Sequence, residues 1–508
     1  MRRIPLLAAL LTALNACAPA PTPPASAPPA NAAGTKSPNP SSAPADSPRA
    51  DRALGGLRPL IEVAGRPPVR WTLAERMAHY NVPGASIAVI EGGRVAWARA
   101  FGVKEAAKND PVTPATLFQA ASISKPLSAT AMLRLVERGK LELDADVNRY
   151  LTSWKVPEND FTAKEKVTLR RLVSHTAGLT VHGFPGYEVK ERLPTLVQVL
   201  NGEPPANTEP VRVDVTPGSI ERYSGGGTIV VQQLLVDVTG KPFPALMQDL
   251  VLGPAGMTQS TFEQPLPAAR AGEAARAHGG DGSVIPGGWH VYPEMAPAGL
   301  WSTPTDLARW AILIAEARAG RSTTLLSQSM ATQMLTAQKG EAGLGPFVGG
   351  SGRGFHFGHG GVNEGFQSEL TMYPELGVGA VVMLNGVTSP LLMKEVLLAL
   401  AAEYGLPDYE PTRVNVIALS PAAAAGIAGN YVLRIGPGIP AEVRVEGGRV
   451  MLHAPQIPVE ELLPESETSF VTSTMGWRVT FTRDASGRAT GLTVLRENGR
   501  RVEGTRKP

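Results

Sequence analysis

Strand-like segments stand on both sides of a long helix-rich stretch, and this order constrains the fold more than any other feature of the sequence. Helical patterns with glycine and proline breaks dominate residues 127–313, and a further helix is predicted over 391–404. The strand patterns fall in five segments: 85–91, 94–101, 355–359, 366–373 and 379–384. Strands this far apart can form one antiparallel sheet with helices on its faces. The sequence therefore predicts an α/β (α+β) fold of that kind, with a helix-rich insertion.

After Pro407 the pattern changes to short strands and tight turns, including one at Gly447-Gly448. This pattern predicts a separate small all-β domain over 411–508 and leaves 54–406 as the main folded domain. The C-terminal segment carries no group of residues typical of a catalytic site. We therefore expect it to be structural or to cover the substrate side of the main domain.

The first 53 residues are typical of an exported protein held on a tether. Arg2-Arg3 precedes an apolar run that is too short to cross a bilayer and is typical of an export signal. The run ends at Cys17, and residues 14–17 resemble a bacterial lipobox, whose cysteine becomes the lipidated first residue of the mature protein. Residues 1–17 are thus predicted to be a lipoprotein signal peptide, and 18–53, rich in Pro, Ala and Ser, a disordered linker. We expect the protein to be lipid-anchored at the cell envelope, on the periplasmic face of the outer membrane.

Composition and spacing exclude several classes of function. The chain has 508 residues, of which 43% are hydrophobic, enough for a substantial core. A net charge of +3, with scattered Lys and Arg, does not indicate a nucleic-acid groove. Cys17 is the only cysteine, so no internal disulfide is possible, and His175 and His182 lie too far apart for a helical metal pair. We therefore expect no nucleic-acid partner, no metal and no cofactor.

Ser122 and Lys125 set a hydroxyl and an amine one helical turn apart at the start of a predicted helix. Residues three apart share a helix face, so the amine can reach the hydroxyl and, with its pKa lowered by burial, accept its proton. The helix start favours negative charge on a nearby oxygen. The alternative is a capping serine beside a solvated lysine, because about one or two S-x-x-K matches are expected by chance in a chain of this length.

Two later segments supply the partners that an acylating serine needs. Tyr223-Ser224-Gly225 lies on a glycine-rich loop just before an apolar helix. His359-Gly360-Gly361 ends a strand pattern, and its glycines permit close approach of a ligand backbone. Taken singly, Tyr223 is more often a packing residue and His359 an ordinary strand residue. The order of the three motifs is therefore what carries the inference.

In this order the motifs resemble the serine β-lactamase and penicillin-binding protein family, closest to its class C-like and esterase branch. Further matching phrases are LVSHTAGL at 172–179, GLWST at 299–303 and DLA at 306–308. The resemblance covers 57–403. It implies a β-lactamase/transpeptidase-like fold and a serine hydrolase that works through an acyl-enzyme without a cofactor.

The resemblance also implies roles for individual residues. Ser122 would be the acylated nucleophile, Lys125 its general base, and Tyr223 the phenol that moves protons during acylation and deacylation. The backbone N–H groups of Ser122 and Val362 would form the oxyanion site, and His359 would stand where many relatives carry lysine. The predicted substrate-contacting residues are Ser224, which could also relay a proton, Gly225, Gly360, Gly361 and Val362.

Two departures from the family pattern bear on the substrate. Many relatives have Tyr-Ser-Asn, whose amide contacts the acylamino group of the substrate, whereas the third position here is Gly225. Where β-lactamases usually hold a permanent cation to grip the substrate carboxylate, His359 is expected to be mostly neutral at pH 7. Both changes favour an esterase, an amidase or a D-amino-acid peptidase over efficient β-lactam hydrolysis.

The leading hypothesis is a membrane-tethered serine hydrolase of small esters or D-amino-acid peptides, for which β-lactams are poor substrates or inhibitors. One alternative is a β-lactamase or a DD-carboxypeptidase of cell-wall metabolism. Another is a non-catalytic lipoprotein that binds peptidoglycan. The last is disfavoured, because a binding protein has no need of Ser122, Lys125 and Tyr223 together.

Overall fold

The computed structural model describes residues 47–387, 390–455, 457, 459–496 and 499–507. Its helices are α1 Pro48–Leu54, α2 Leu73–His79, α3 Ser124–Glu137, α4 Asp160–Lys164, α5 Leu169–Val173, α6 Leu196–Asn201, α7 Gly225–Thr239, α8 Phe243–Met247, α9 Met295–Ala298, α10 Pro304–Arg318, α11 Gln328–Met334, α12 Pro390–Tyr404 and α13 Pro421–Ile427. Short 3₁₀ turns lie at Ala121–Ile123, Val147–Arg149, Ala268–Glu273 and Gly352–Gly354, and a π turn at Gln248–Leu252. The helices α3 to α11 form the predicted helix-rich insertion.

The strands occupy both ends of this insertion and the C-terminal region. They are β1 Ile61–Val63, β2 Gly84–Glu91, β3 Arg94–Gly102, β4 Phe118–Gln119, β5 Tyr187–Glu188, β6 His290–Val291, β7 Trp301–Ser302, β8 Phe347–Gly349, β9 His356–Asn363, β10 Phe366–Tyr373, β11 Val378–Leu384, β12 Thr412–Val414, β13 Gly429–Leu433, β14 Ile439–Glu446, β15 Arg449–His453, β16 Glu460–Pro464, β17 Ser469–Thr472, β18 Arg478–Arg483, β19 Ala489–Leu495 and β20 Arg501–Arg506.

One six-stranded sheet, in the order β3-β2-β11-β10-β9-β8, forms the centre of the main domain. Its neighbouring strands pair antiparallel, and β2 pairs with β11 across the insertion, with Ile90 opposite Gly379. The prediction of one antiparallel sheet built from distant segments is therefore confirmed. Both faces of the sheet are covered, since alternate residues of β11 enter two separate hydrophobic cores. Val381 and Met383 face the insertion, while Val382 and Leu384 face α12.

The C-terminal strands β13 to β20 close into an eight-stranded barrel, which confirms the predicted all-β domain. Residues alternate between a buried and an exposed face, as in β18, where Val479 and Phe481 are buried. The barrel is attached where the chain enters and leaves the main domain. There β1 and β12 pair in parallel, and a small apolar cluster joins Ile61 and Val414 to Leu463 and Val471 of the barrel.

The predicted linker is too long at its C-terminal end. Residues 48–54 form α1, whose apolar residues Ala50, Ala53 and Leu54 are buried against the core beside α12. Both Arg49 and Arg52 pair with Glu403 of α12. The sequence pattern does not predict this helix, because its segment has few large apolar residues and alanines supply most of its buried face.

The predicted signal peptide 1–17, with Cys17, and residues 18–46 of the predicted linker lie outside the described residues. Among the described residues, no helix combines the length and the apolar character that a bilayer crossing requires.

Candidate active site

Ser122 lies in the 3₁₀ turn that leads directly into α3. The preceding residue, Ala121, has φ +49°, a left-handed conformation that is unfavourable for alanine. The Ser124 hydroxyl holds the turn, since its Oγ donates to the Ala121 carbonyl at 2.5 Å and accepts from the Leu300 N–H at 3.0 Å. The surrounding structure thus maintains a strained backbone next to the candidate nucleophile, as is common at functional sites.

Lys125 is 5% exposed, and its Nζ donates to the Ser122 Oγ at 3.0 Å and to the Pro297 carbonyl at 3.0 Å. Within the described residues no carboxylate joins these two partners, and burial lowers the pKa of the amine to about 7. A large share of the amine is therefore neutral near pH 7. A neutral amine in contact with a serine hydroxyl is suited to accept its proton.

Tyr223 places its ring over the amine, with the Lys125 Nζ 4.9 Å from the ring centroid. Burial raises the pKa of its phenol, and the neighbouring Ser122 hydroxyl partly offsets that rise. The phenol therefore keeps its proton at neutral pH and is available as a donor. The structure brings Ser122, Lys125 and Tyr223 together, as the order of the motifs predicts.

The structure gives Ser224 a different task from the predicted substrate contact. Ser224 is buried and caps α7, since its Oγ accepts from the Gly227 N–H at 3.0 Å and donates to the Thr180 carbonyl at 2.8 Å. With both functions of the hydroxyl committed, the geometry does not support a substrate contact or a proton relay through Ser224.

Gly225 lies against an aromatic side chain. A Cβ at this position would come within 2.8 Å of the Phe184 ring and 3.1 Å of the His182 carbonyl. Phe184 thus fills the space into which a side chain at 225 would project. The polar contact that Tyr-Ser-Asn relatives make is replaced here by an apolar ring.

The strand β9 presents its edge to the 3₁₀ turn at Ala121–Ile123, which carries Ser122. Its pairing with β8 ends at Gly358, so residues 359–363 extend past that neighbour. Gly361 permits the close approach, because a Cβ there would lie 2.3 Å from the Ala120 carbonyl. Gly360 packs instead towards Glu369, and Val362 is 39% exposed. The oxyanion role of the Val362 N–H and the ligand contacts of the two glycines stay predictions.

His359 is buried beside the amine and is neutral. Its Nδ1 donates to the Gly360 carbonyl at 2.5 Å, and burial together with the charge of Lys125 lowers its pKa to about 3. The ring lies 6.1 Å from Tyr223 and 5.2 Å from Phe347. The expectation of an uncharged imidazole thus agrees with its environment.

Sequence reasoning missed four contributors to the site. Phe347 stacks on Tyr223 with ring centroids 6.2 Å apart, and His175 lies 4.4 Å from the same ring. The Pro297 carbonyl binds the Lys125 amine, and Asn363 Nδ2 donates to the Ala298 carbonyl at 3.0 Å. His175 carried a sequence signal within LVSHTAGL, and Asn363 directly follows the predicted site residues of β9, whereas Phe347 and Pro297 lie in segments without a catalytic pattern.

The site is aromatic and largely uncharged, with one titratable amine against one hydroxyl. In the described part of the chain, no group of three or more His, Cys, Asp or Glu side chains is arranged to hold a metal ion. A lysine base and a phenol donor beside one serine hydroxyl can support nucleophilic attack of that hydroxyl on an acyl group.

Comparisons with known proteins agree with this chemistry. Penicillin-binding protein 4 of Amycolatopsis lactamdurans is 27% identical over 365 residues, which are 67% of this chain and 93% of the relative. Esterase EstB of Burkholderia gladioli is 28% identical over 306 residues, 54% of this chain and 74% of the relative. Among solved structures, a penicillin-binding protein homologue from Pyrococcus abyssi superposes with a TM-score of 0.58 at 22% identity, covering 85% of this chain and 98% of that chain.

A family model settles the assignment. The model described as Beta-lactamase matches residues 69–403, which include Ser122, Lys125, Tyr223 and β9. This match covers more than half of the chain, so the protein belongs to the beta-lactamase family.

Proposed function

We propose that the protein hydrolyses small, uncharged esters or amides through an acyl-enzyme at Ser122. The observation that carries this proposal is the 3.0 Å contact between the buried Lys125 amine and the Ser122 hydroxyl. Neutral Lys125 takes the hydroxyl proton as Oγ attacks the carbonyl carbon. The Tyr223 phenol then passes a proton to the departing alcohol or amine, and the acyl–Oγ bond remains. Water adds to this ester with the same groups in reverse, releasing the acid and the free serine.

The electrostatics support an uncharged substrate. The rings around Tyr223 belong to His175, Phe347 and His359, and both histidines have lowered pKa values because they are buried. Neither supplies a permanent cation for a substrate carboxylate. Phe184 adds an apolar ring against Gly225, two residues after Tyr223. An esterase among the relatives agrees with this preference.

Matched substrates test the preference. We expect kcat/KM for 4-nitrophenyl butyrate to exceed that for the 4-nitrophenyl monoester of succinate by about tenfold or more, because neither site histidine is charged and able to offset the desolvation of the carboxylate. Benzylpenicillin should turn over more slowly than either ester. Purified full-length protein and a spectrophotometric assay suffice. Faster turnover of penicillin would favour the β-lactamase alternative, and the absence of both turnover and fluorophosphonate labelling would favour a non-catalytic binding protein.

We also propose that Cys17 anchors the protein to a membrane. The lipobox resemblance of residues 14–17 and the apolar run before it support this location, and one acyl-bearing terminus leaves the main domain free to face solvent. In the native host, Cys17→Ser is expected to move the protein from the membrane pellet to the soluble fraction. A labelled-palmitate assay should then lose its signal. Unchanged sedimentation of the variant with membranes would contradict lipid anchoring.

A further inference from the structure

His175 is a buried histidine that the acylation steps above do not use. It follows α5, is 4% exposed and has φ +57°. This left-handed conformation is uncommon for a residue with a Cβ and persists only where neighbouring contacts require it. The position of His175 therefore calls for an explanation in terms of its contacts.

Those contacts enclose Tyr223 from both sides. The His175 carbonyl accepts from the Arg222 N–H at 2.8 Å, and its Nδ1 accepts from the Ser224 N–H at 3.2 Å. Between these two hydrogen bonds, the imidazole lies 4.4 Å from the Tyr223 ring, inclined at 40°. One residue thus holds the backbone before and after Tyr223 and contacts its ring.

The hydrogen bond to Ser224 also fixes the tautomer. Because Nδ1 accepts a hydrogen bond, the neutral ring carries its proton on Nε2. In the described part of the chain, Nε2 is buried without a hydrogen-bond partner. An orphaned buried donor is destabilising, so this hydrogen bond arrangement does not itself stabilise the fold through Nε2. Burial and the nearby Lys125 keep the pKa of His175 well below its ordinary value, so the acceptor on Nδ1 persists.

We propose that His175 is a positioning residue for acylation: its neutral imidazole holds the Tyr223 ring over the Lys125 amine and beside the Ser122 hydroxyl. This inference rests on the proposed function. His175 touches no reacting atom and acts only through Tyr223. A shift of the phenol by about 1 Å can lower a catalytic rate about 100-fold.

The test compares rate constants of labelling by a fluorophosphonate probe in full-length variants. His175→Gly accommodates the left-handed backbone and removes the ring, so about 100-fold slower labelling at full final amplitude is expected. His175→Asn keeps a short acceptor for the Ser224 N–H and tolerates positive φ, so labelling about tenfold faster than in the glycine variant is expected. His278→Asn is the matched control, because His278 is a buried histidine bonded to Asn385 and Ala106 instead. The His278→Asn variant should be labelled with the same rate constant as the unaltered protein.

Equal rate constants in the unaltered protein and His175→Gly would overturn the proposal, as would an asparagine variant no faster than the glycine variant. If the His175→Gly variant is not labelled at all, the His175→Asn variant provides the test. Labelling of this variant to the full final extent, with a rate constant about tenfold below that of the unaltered protein, supports the positioning role. Labelling at the unaltered rate refutes it. Failure of the proposed function is distinct, because the unaltered protein itself would then not be labelled.

Discussion

Ser122→Ala is expected to abolish covalent labelling by a fluorophosphonate and to lower ester turnover by about 10⁴-fold or more. The Oγ of Ser122 is the hydroxyl that the Lys125 amine contacts, and the alanine variant leaves the amine with no proton to accept. Intact-protein mass spectrometry measures the labelling directly, since the adduct adds the mass of the phosphonyl group to one residue.

Ser86→Ala is the matched control for this loss. Ser86 is also buried, and its hydroxyl has no hydrogen-bond partner in the described structure, but it lies in β2. The control should therefore label and turn over at the unaltered rate. Retention of the adduct in the Ser122→Ala variant would show that another residue is the nucleophile.

The rate of ester hydrolysis is expected to rise about tenfold between pH 6 and pH 8, with a midpoint near 7. The pKa of Lys125 is lowered to about 7, so the amine is mostly protonated at pH 6 and cannot accept the Ser122 proton. Above pH 7 it is mostly neutral and active as a base. Lys125→Met should lower turnover about 10²- to 10⁴-fold and remove this rise.

The two site histidines do not account for such a profile. An ordinary histidine also titrates near pH 6.5, but burial lowers the pKa of His359 to about 3 and that of His175 well below its usual value. Lys241→Met, which removes an exposed amine paired with Asp249, serves as the control and should keep the full profile. If the hydrolysis rate of the Lys125→Met variant still rose with a midpoint near pH 7, the assignment of this rise to Lys125 would be contradicted.

Most of the fold could be predicted because its determinants are local. The strand patterns at 85–91 and 94–101 predict β2 and β3, and the pattern at 366–373 predicts β10 with the bounds that the structure gives it. Closure of the C-terminal strands into a barrel could not be predicted, since it depends on β13 pairing with β20, with Tyr431 opposite Arg506. That pairing joins the two ends of the domain and leaves no local pattern.

The site divides in the same way. Helical spacing placed the Lys125 amine near Ser122, and the order of the motifs added Tyr223 and His359. Phe347 and the Pro297 carbonyl reach the site through tertiary packing, so neither their spacing in the sequence nor their residue type predicts that they belong to it. For Ser224, the sequence predicts a substrate contact, because its hydroxyl is next to Tyr223. In the structure this hydroxyl instead makes the hydrogen bonds of a helix cap.

The pairing of β2 with β11 also determines when the surroundings of Ser122 can first form. Helices of the insertion can form from local contacts, whereas the sheet requires closure of a loop that contains the whole insertion. The turn at Ser122 gains its β9 neighbour only when residues 356–363 join that sheet. A chain whose last central strands have not yet been made is thus expected to lack the assembled surroundings of Ser122, which form only after those strands join the sheet.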